Sequence, residues 1–284
     1  MWRTAQRLHR ALVGAPLTRW DLRWGELATT DHRGASTLEV VSRGKHILQR
    51  LDSGLTLHSH LRMEGTWRVE DSGRLSARQL ANPQIRAVVG TGRWSTLGLR
   101  LGMLDLLPTA QENTLVGHLG PDLLGPDWDA DRASANLGGS SATIGAALLD
   151  QRNLAGVGTL WASESLFLER IHPWAAADSL PAGVVSALVT RAHRLIDAAR
   201  QHAVQTSTGS RRPGQNTYVH GRSGRPCRRC GEGVRVAMIG DAPRERTMFY
   251  CPRCQGGLAP TDDGRAQRPL GSGARGSATG YRRG

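Results

Sequence analysis

The sequence predicts an α+β protein: an N-terminal β-sandwich with a flanking helix, then a helical domain, then a small hairpin built around four cysteines. Three observations predict it. Residues 17–107 run in short β-rich stretches punctuated by glycine, and residues 141–203 switch to helical periodicity. All four cysteines fall in one segment, Cys227-x2-Cys230-x20-Cys251-x2-Cys254.

Taken in order, residues 2–14 place Trp2, Leu8, Leu12 and Val13 near one helical face, and Gly14 and Pro16 end the helix. Residues 37–42 are β-rich. Residues 46–51 and 55–61 read as a hairpin across the polar turn Asp52-Ser53-Gly54, and 86–89 and 97–101 continue the strands. Residues 119–131 are rich in Pro, Gly and Asp and read as a linker. Helices follow over 141–150, 159–170 (with Thr159 as N-cap) and 180–203, with a glycine-bearing turn at 153–158. The polar stretch 207–217 reads as a connector. The expected divisions are 1–113 (sandwich), 114–130 (linker), 131–206 (helical domain), 218–256 (cysteine hairpin) and 257–284 (disordered basic tail).

The chain has 284 residues, enough for two cores, and no apolar run long enough to span a bilayer. Its first 25 residues scatter Arg3, Arg7, Arg10, Asp21 and Arg23 with no apolar h-region, unlike a secretory signal. A cytoplasmic protein is expected. The formal net charge is +13, and residues 207–284 carry 15 Arg against 5 Asp+Glu. A clustered basic surplus favours a polyanionic partner, with an arginine-rich genome and a solvated tail as the plainer explanation. Of 37 basic residues only one, Lys45, is lysine. Arginine does not shed its proton near neutral pH and lysine can once its pKa is tuned, so Lys45 is a candidate for proton transfer or nucleophilic chemistry.

Two C-x2-C knuckles about 20 residues apart fit a tetrahedral four-thiolate zinc site. Two disulfides are the alternative, which a cytoplasmic chain disfavours. Four protein ligands leave no open position, so one structural Zn2+ is expected, held by Cys227, Cys230, Cys251 and Cys254. Arg246, near the tip of the intervening hairpin, is placed to reach phosphate or to be a solvated turn residue. The turn at 153–158 offers backbone N–H groups at a helix N-terminus, which suits phosphate. His58 and His60 lie on one strand face. With no third ligand nearby in sequence they read as strand histidines, with DNA contact as the other reading.

Five collinear stretches resemble the Fpg/Nei family of DNA glycosylases: Arg43-Gly44-Lys45-His46, residues 60–65 (HLRMEG), residues 154–167 (LAGVGTLWASESLF) followed by His172-Pro173, residues 219–222 (VHGR), and residues 246–255 (RTMFYCPRCQ). The likeness is greatest to endonuclease VIII-like members of actinobacterial type. It implies a helix–two-turn–helix DNA-binding domain and a zinc finger of that family's type. It also implies a monomer that binds damaged double-stranded DNA in the bacterial cytoplasm, near the nucleoid, and flips the damaged base out of the stack. The activity implied is removal of oxidised bases, chiefly pyrimidines, followed by strand cleavage by β,δ-elimination through a Schiff base. By the same resemblance Lys45 is a proton donor, Arg246 grips the phosphate at the lesion, and Glu164 lies near the reacting sugar. Met63 fills the gap left by the flipped base, and Gly156, Gly158, Thr159 and Arg222 contact DNA.

The resemblance breaks at the start. The family opens Met-Pro-Glu-Gly-Asp-Thr and then Val-Trp, whereas this chain opens Met1-Trp2. A start assigned too far downstream is the explanation expected here, because Trp2-Arg3-Thr4-Ala5-Gln6 resumes the family register at once, and an upstream reading frame that encodes Pro-Glu-Gly is the result it predicts. As written, the chain is expected to bind DNA and to remove bases poorly, which leaves a damaged-DNA-binding protein as the second functional reading. An RNA-binding zinc-ribbon protein is a third, and it leaves Lys45 and the glycine turn unexplained.

Overall fold

A computed structural model of the chain describes residues 1–62 and 64–269. Two compact units are present, one of Met1–Asp129 with Gln151–Gly156, the other of Ala130–Asp150 with the chain from Val157 onward.

In the first unit, helix α1 (Trp2–Leu12) turns Ala5, Leu8, Ala11 and Leu12 inward at helical spacing. Strands β1 (Arg19–Leu22), β2 (Thr37–Arg43), β3 (His46–Leu51), β4 (Leu55–His60) and β5 (Thr66–Asp71) follow. Then come helix α2 (Ala77–Leu80), strands β6 (Ile85–Gly90), β7 (Trp94–Leu99) and β8 (Met103–Pro108), and helix α3 (Asn113–Val116). Among the described residues the unit's strands form two antiparallel sheets, in the orders β1-β6-β7-β5 and β2-β3-β4-β8. One core joins them: Trp20, Leu22, Trp67, Ala87 and Val89 from the first sheet meet Val40, Ile47, Leu51, Leu57 and Leu104 from the second, with α1 closing the side. This is the expected sandwich with its flanking helix. The anticipated 52–54 hairpin turn is present. Strands β1, β5 and β8 were not individually legible, because each carries only two or three inward residues.

The segment expected as a linker is built into this unit. After α3, Gly120 N–H bonds Gln151 O (2.9 Å), Ala155 N–H bonds Pro121 O (2.9 Å) and Leu123 N–H bonds Ala155 O (3.2 Å). Leu119, Asp122 and Leu123 are buried. Pro, Gly and Asp announce a loop, but a loop that buries its backbone must pair it, and residues 151–156 supply the partners.

The second unit contains helices α4 (Ala130–Gly138), α5 (Ile144–Leu149), α6 (Thr159–Leu168) and α7 (Ala182–Arg200). Residues 161–167 of α6 are all buried, so it is a central helix rather than an amphipathic one. The hairpin pairs β9 (Arg235–Ile239) with β10 (Arg246–Tyr250), and the short helix α8 (Pro252–Gln255) carries the last knuckle. β10 is fixed to α6 by Ser163, whose hydroxyl accepts Phe249 N–H (3.2 Å) and donates to the Met248 sulfur (3.3 Å).

Residues 257–269, expected as part of a disordered tail, pack on this hairpin. The Asp262 carboxylate takes the Tyr250 hydroxyl (2.6 Å) and the Arg235 guanidinium, which holds its pKa down at about 2. The Gln267 amide bonds Val236 in both directions, accepting its N–H (2.8 Å) and donating to its carbonyl (2.9 Å). A Cβ on Gly224 would sit 2.3 Å from Gln267 O, so glycine is needed where the strap passes. Isolated polar residues at irregular spacing carry this strap, which is why composition alone reads it as low complexity. The rest of the expected tail, and Met63, lie outside the described residues. Among the described residues no helix is long and apolar enough to cross a membrane.

Candidate active site and metal centre

In the first unit, Lys45 occupies the second position of the two-residue turn between β2 and β3. Gly44 takes the first position with φ 56°, a conformation that favours glycine. The turn is pinned from behind. Gly44 N–H donates to Asp122 Oδ2 (2.7 Å), and Asp122 Oδ1 accepts Leu124 N–H (3.1 Å). Asp122 is 3% exposed, and burial raises its pKa against those bonds. On the same loop, Arg43 ion-pairs with Asp127 and donates to Gly120 O (3.2 Å). The sole lysine therefore stands on a turn held by the Gly44 backbone N–H and by the Arg43 side chain.

Register gathers four ionisable side chains on the strands that follow this turn. His46 pairs with His60 across β3 and β4, and His58 pairs with Asp105 across β4 and β8. Alternation puts all four on one face of the sheet, opposite to Ile47, Leu57 and Leu104 in the core. His58 Nδ1 lies 2.8 Å from Asp105 Oδ2, and His58 Nε2 lies 2.8 Å from His46 Nδ1. The His46 and His58 rings stack at 5.0 Å and 26°. His60 Nδ1 accepts Arg62 N–H (2.9 Å). Burial, reinforced by the neighbouring imidazoles and Lys45, lowers the His46 pKa to about 3 and the His60 pKa to about 4. His58 and His60 are thus more than isolated strand histidines. The sequence carried a signal, two histidines two apart on one strand, but lacked the register that brings in His46 and Asp105.

Among the expected DNA-contacting residues, Gly156 belongs to the first unit. It adopts φ 107°, and its N–H is held by Gln151 Oε1 (3.0 Å).

In the second unit, the N-cap of α6 is Gly158, with no side-chain cap, and Thr159 is the first helical residue. This corrects the assignment of Thr159 as N-cap. Gly158 has no side chain with which to cap the first-turn N–H groups of α6.

Glu164 lies inside the unit. It is 0% exposed within α6. Oε1 accepts Val219 N–H and His220 N–H (both 2.8 Å), while Oε2 accepts Tyr218 N–H (2.8 Å) and the Ser207 hydroxyl. The carboxylate thereby holds the loop before the first knuckle. Arg222, expected on DNA, donates to the carbonyls of Gly214 (3.2 Å) and Pro226 (2.9 Å). Arg246 is where the sequence put it: exposed, first in β10, at the mouth of the hairpin loop.

The four cysteines converge. Cys227 and Cys254 sulfurs lie 3.9 Å apart, Cys230 and Cys251 sulfurs 3.5 Å, and all four fall within 4.8 Å of one another. A disulfide needs about 2.05 Å, so these are free thiols. A tetrahedral ion with bonds of about 2.3 Å sets sulfurs about 3.8 Å apart, which matches. Burial pushes the Cys251 thiol well above its ordinary range, and a cation at the centre is what keeps such a sulfur ionised. Arg229 ties the first knuckle to α6, donating to Phe167 O (3.1 Å) and stacking 4.3 Å from the Phe167 ring.

Comparison with known proteins agrees with this architecture. Residues 2–120 match the formamidopyrimidine-DNA glycosylase N-terminal domain, and residues 119–211 match the formamidopyrimidine-DNA glycosylase H2TH domain. The chain is 49% identical over 266 residues to "Probable endonuclease 8 2" of Streptomyces coelicolor, covering 93% of this chain and 95% of that one. It is 39% identical over 256 residues to "DNA-(apurinic or apyrimidinic site) lyase Nei2" of Mycolicibacterium smegmatis, covering 90% and 96%. The fold is that of Lactococcus lactis formamidopyrimidine-DNA glycosylase, solved non-covalently bound to DNA containing an abasic site. The TM-score is 0.74 at 21% identity, over 89% of this chain and 97% of that one. The chain belongs to the Fpg/Nei family of formamidopyrimidine-DNA glycosylases and endonuclease 8 proteins.

Proposed function

We propose that the protein is a bifunctional DNA glycosylase and abasic-site lyase acting on oxidised bases, chiefly pyrimidines, in double-stranded DNA. The observation that carries this reading is the 49% identity to a probable endonuclease 8, spread over nearly the whole of both chains. In this reading the damaged nucleotide leaves the stack. An amine attacks the sugar C1′ and the base departs. The resulting Schiff base acidifies the neighbouring C–H, so the 3′ and then the 5′ phosphate leave as β- and δ-elimination products.

The residues take the following parts. Lys45 donates a proton from its anchored turn. Arg246 gives charge-assisted hydrogen bonds to phosphate at the lesion. Gly158 and Thr159 offer the start of α6 to a backbone phosphate. Zn2+ bound by Cys227, Cys230, Cys251 and Cys254 cross-links the hairpin that carries Arg246. With four protein ligands it supplies no reactive water.

The test is Lys45→Arg, which keeps the charge and removes the titratable amine. Single-turnover incision of a duplex bearing an oxidised pyrimidine is expected to fall by about 100-fold or more. Affinity for the same duplex should stay within a few-fold. Incision at the unsubstituted rate would remove Lys45 from the chemistry.

A further inference from the structure

The turn between β2 and β3 has a backbone donor that is satisfied from outside the hairpin. Arg43 and His46 pair with each other to close the ladder. Gly44, next in the turn, finds the acceptor for its N–H 78 residues away, at Asp122 Oδ2 (2.7 Å). The other oxygen of the same carboxylate, Oδ1, accepts Leu124 N–H (3.1 Å). Neither bond goes to a basic side chain, and Asp122 is buried. A carboxylate is costly to bury. What this one holds is backbone: the turn that carries Lys45 on one oxygen, and its own loop on the other.

The main chain around the same residue holds a second element. Asp122 and Ala155 form a parallel bridge, with Ala155 N–H on Pro121 O (2.9 Å) and Leu123 N–H on Ala155 O (3.2 Å). The two elements pack together. A Cβ on Gly44 would sit 3.1 Å from the Ala155 Cβ and 3.7 Å from Gly156 N. Asp122 therefore joins the Lys45 turn, through its side chain, to the segment 151–156, through its backbone. The side-chain half of this clamp needs a carboxylate. Two donors face two acceptor oxygens, whereas asparagine has one oxygen, and its amide nitrogen would face either Gly44 N–H or Leu124 N–H, donor against donor.

We propose that Asp122 is a positioning residue for proton transfer from Lys45: its two-oxygen clamp fixes the backbone of the turn, and so the point from which the amine reaches the lesion. This rests on the reading of Lys45 given above. Lys45 remains the proton donor, and Asp122 exchanges no proton with it. A lysine amine swings on a flexible four-carbon stem. A turn released from its clamp spreads that amine over positions from which transfer fails, and small misplacements of a reacting group are costly in rate.

The variant is Asp122→Asn, which keeps the shape of the side chain and removes one acceptor. Single-turnover incision of a duplex bearing an oxidised pyrimidine is expected to slow by about tenfold or more. Affinity for that duplex should stay within a few-fold. The decisive comparison is in the Lys45→Arg background, which has no titratable amine left to misplace. There Asp122→Asn should slow incision by less than about twofold. Gly44→Ala disturbs the same turn from the other side, through a Cβ at positive φ and against Ala155, and should give the same pattern. An equal proportional loss in both backgrounds is a general structural effect and overturns the proposal, as does incision by Asp122→Asn at the unsubstituted rate. Amide hydrogen exchange gives an arm that needs no activity. Gly44 N–H should be protected in the unsubstituted protein and exchange about tenfold faster, or more, in Asp122→Asn. A Gly44 N–H that exchanges freely in the unsubstituted protein overturns the clamp. If Lys45→Arg alone incises at the unsubstituted rate, the reading of Lys45 fails, and hydrogen exchange still decides whether the carboxylate holds the turn.

Discussion

Replacing Cys251 with alanine is expected to abolish stoichiometric zinc and to lower affinity for an abasic duplex by about 100-fold or more. The Cys251 sulfur is buried, 3.5 Å from the Cys230 sulfur, and begins the turn into α8. Three thiolates do not close a tetrahedral structural site. Without the ion, repulsion between the remaining sulfurs and the cost of burying them favour opening the knuckles. β10 then loses its C-terminal anchor, and Arg246 its fixed position. The damage should stay local. Arg235, Tyr250 and Asp262 form a clasp on the hairpin that contains no metal ligand, and the helical core around α6 and α7 has its own buried faces. Metal analysis, fluorescence anisotropy and far-ultraviolet circular dichroism measure the three effects. A variant that retains one equivalent of zinc and its affinity contradicts the four-thiolate assignment.

Glu164→Ala is the second large expected effect, and it falls on stability before activity. The substitution strands three backbone N–H groups, those of Tyr218, Val219 and His220, together with the Ser207 hydroxyl. Buried donors without an acceptor cost about 1–3 kcal/mol each before relaxation, and broken buried charge networks cost about 3–5 kcal/mol in all. A melting temperature lowered by roughly 10 °C follows for a chain of this size. Glu164→Gln should also destabilise. Its amide nitrogen must face either the Tyr218 N–H and the Ser207 hydroxyl or the N–H pair of Val219 and His220, donor against donor. A melting temperature within about 2 °C of the unsubstituted protein for both variants would show that the loop at 218–220 does not depend on this carboxylate.

Much of this architecture was legible in the sequence, for identifiable reasons. Cysteine spacing carries its own geometry, so the convergence of the four sulfurs could be read directly. The 46–51 and 55–61 runs, split by Asp52-Ser53-Gly54, encode a hairpin by alternation and turn chemistry. The lone lysine stood out by composition, and the structure gives it an anchored turn. What failed depended on contacts between distant residues. Asp122 looked like linker composition until Gly44 and Leu124 were found bonded to it. The histidine chain needed the pairing of β3, β4 and β8, which no local pattern states. Glu164 was assigned by resemblance to the chemistry, and its environment, a helix buried along residues 161–167 with three backbone N–H groups aimed at the carboxylate, depends on contacts that no local pattern states. Arg222 shows the same limit. Its DNA contact is implied by resemblance, and its hydrogen bonds to the carbonyls of Gly214 and Pro226 are contacts that the sequence does not state.

The central claim is that an amine of this protein forms a Schiff base with the sugar of an abasic site, and borohydride reduction reads that bond directly. Incubation with a duplex carrying one abasic site in the presence of borohydride should give a single covalent protein–DNA adduct. Its yield should track protein concentration up to one equivalent, and an intact duplex should give none. Absence of any adduct from zinc-loaded, DNA-bound protein would contradict the lyase account.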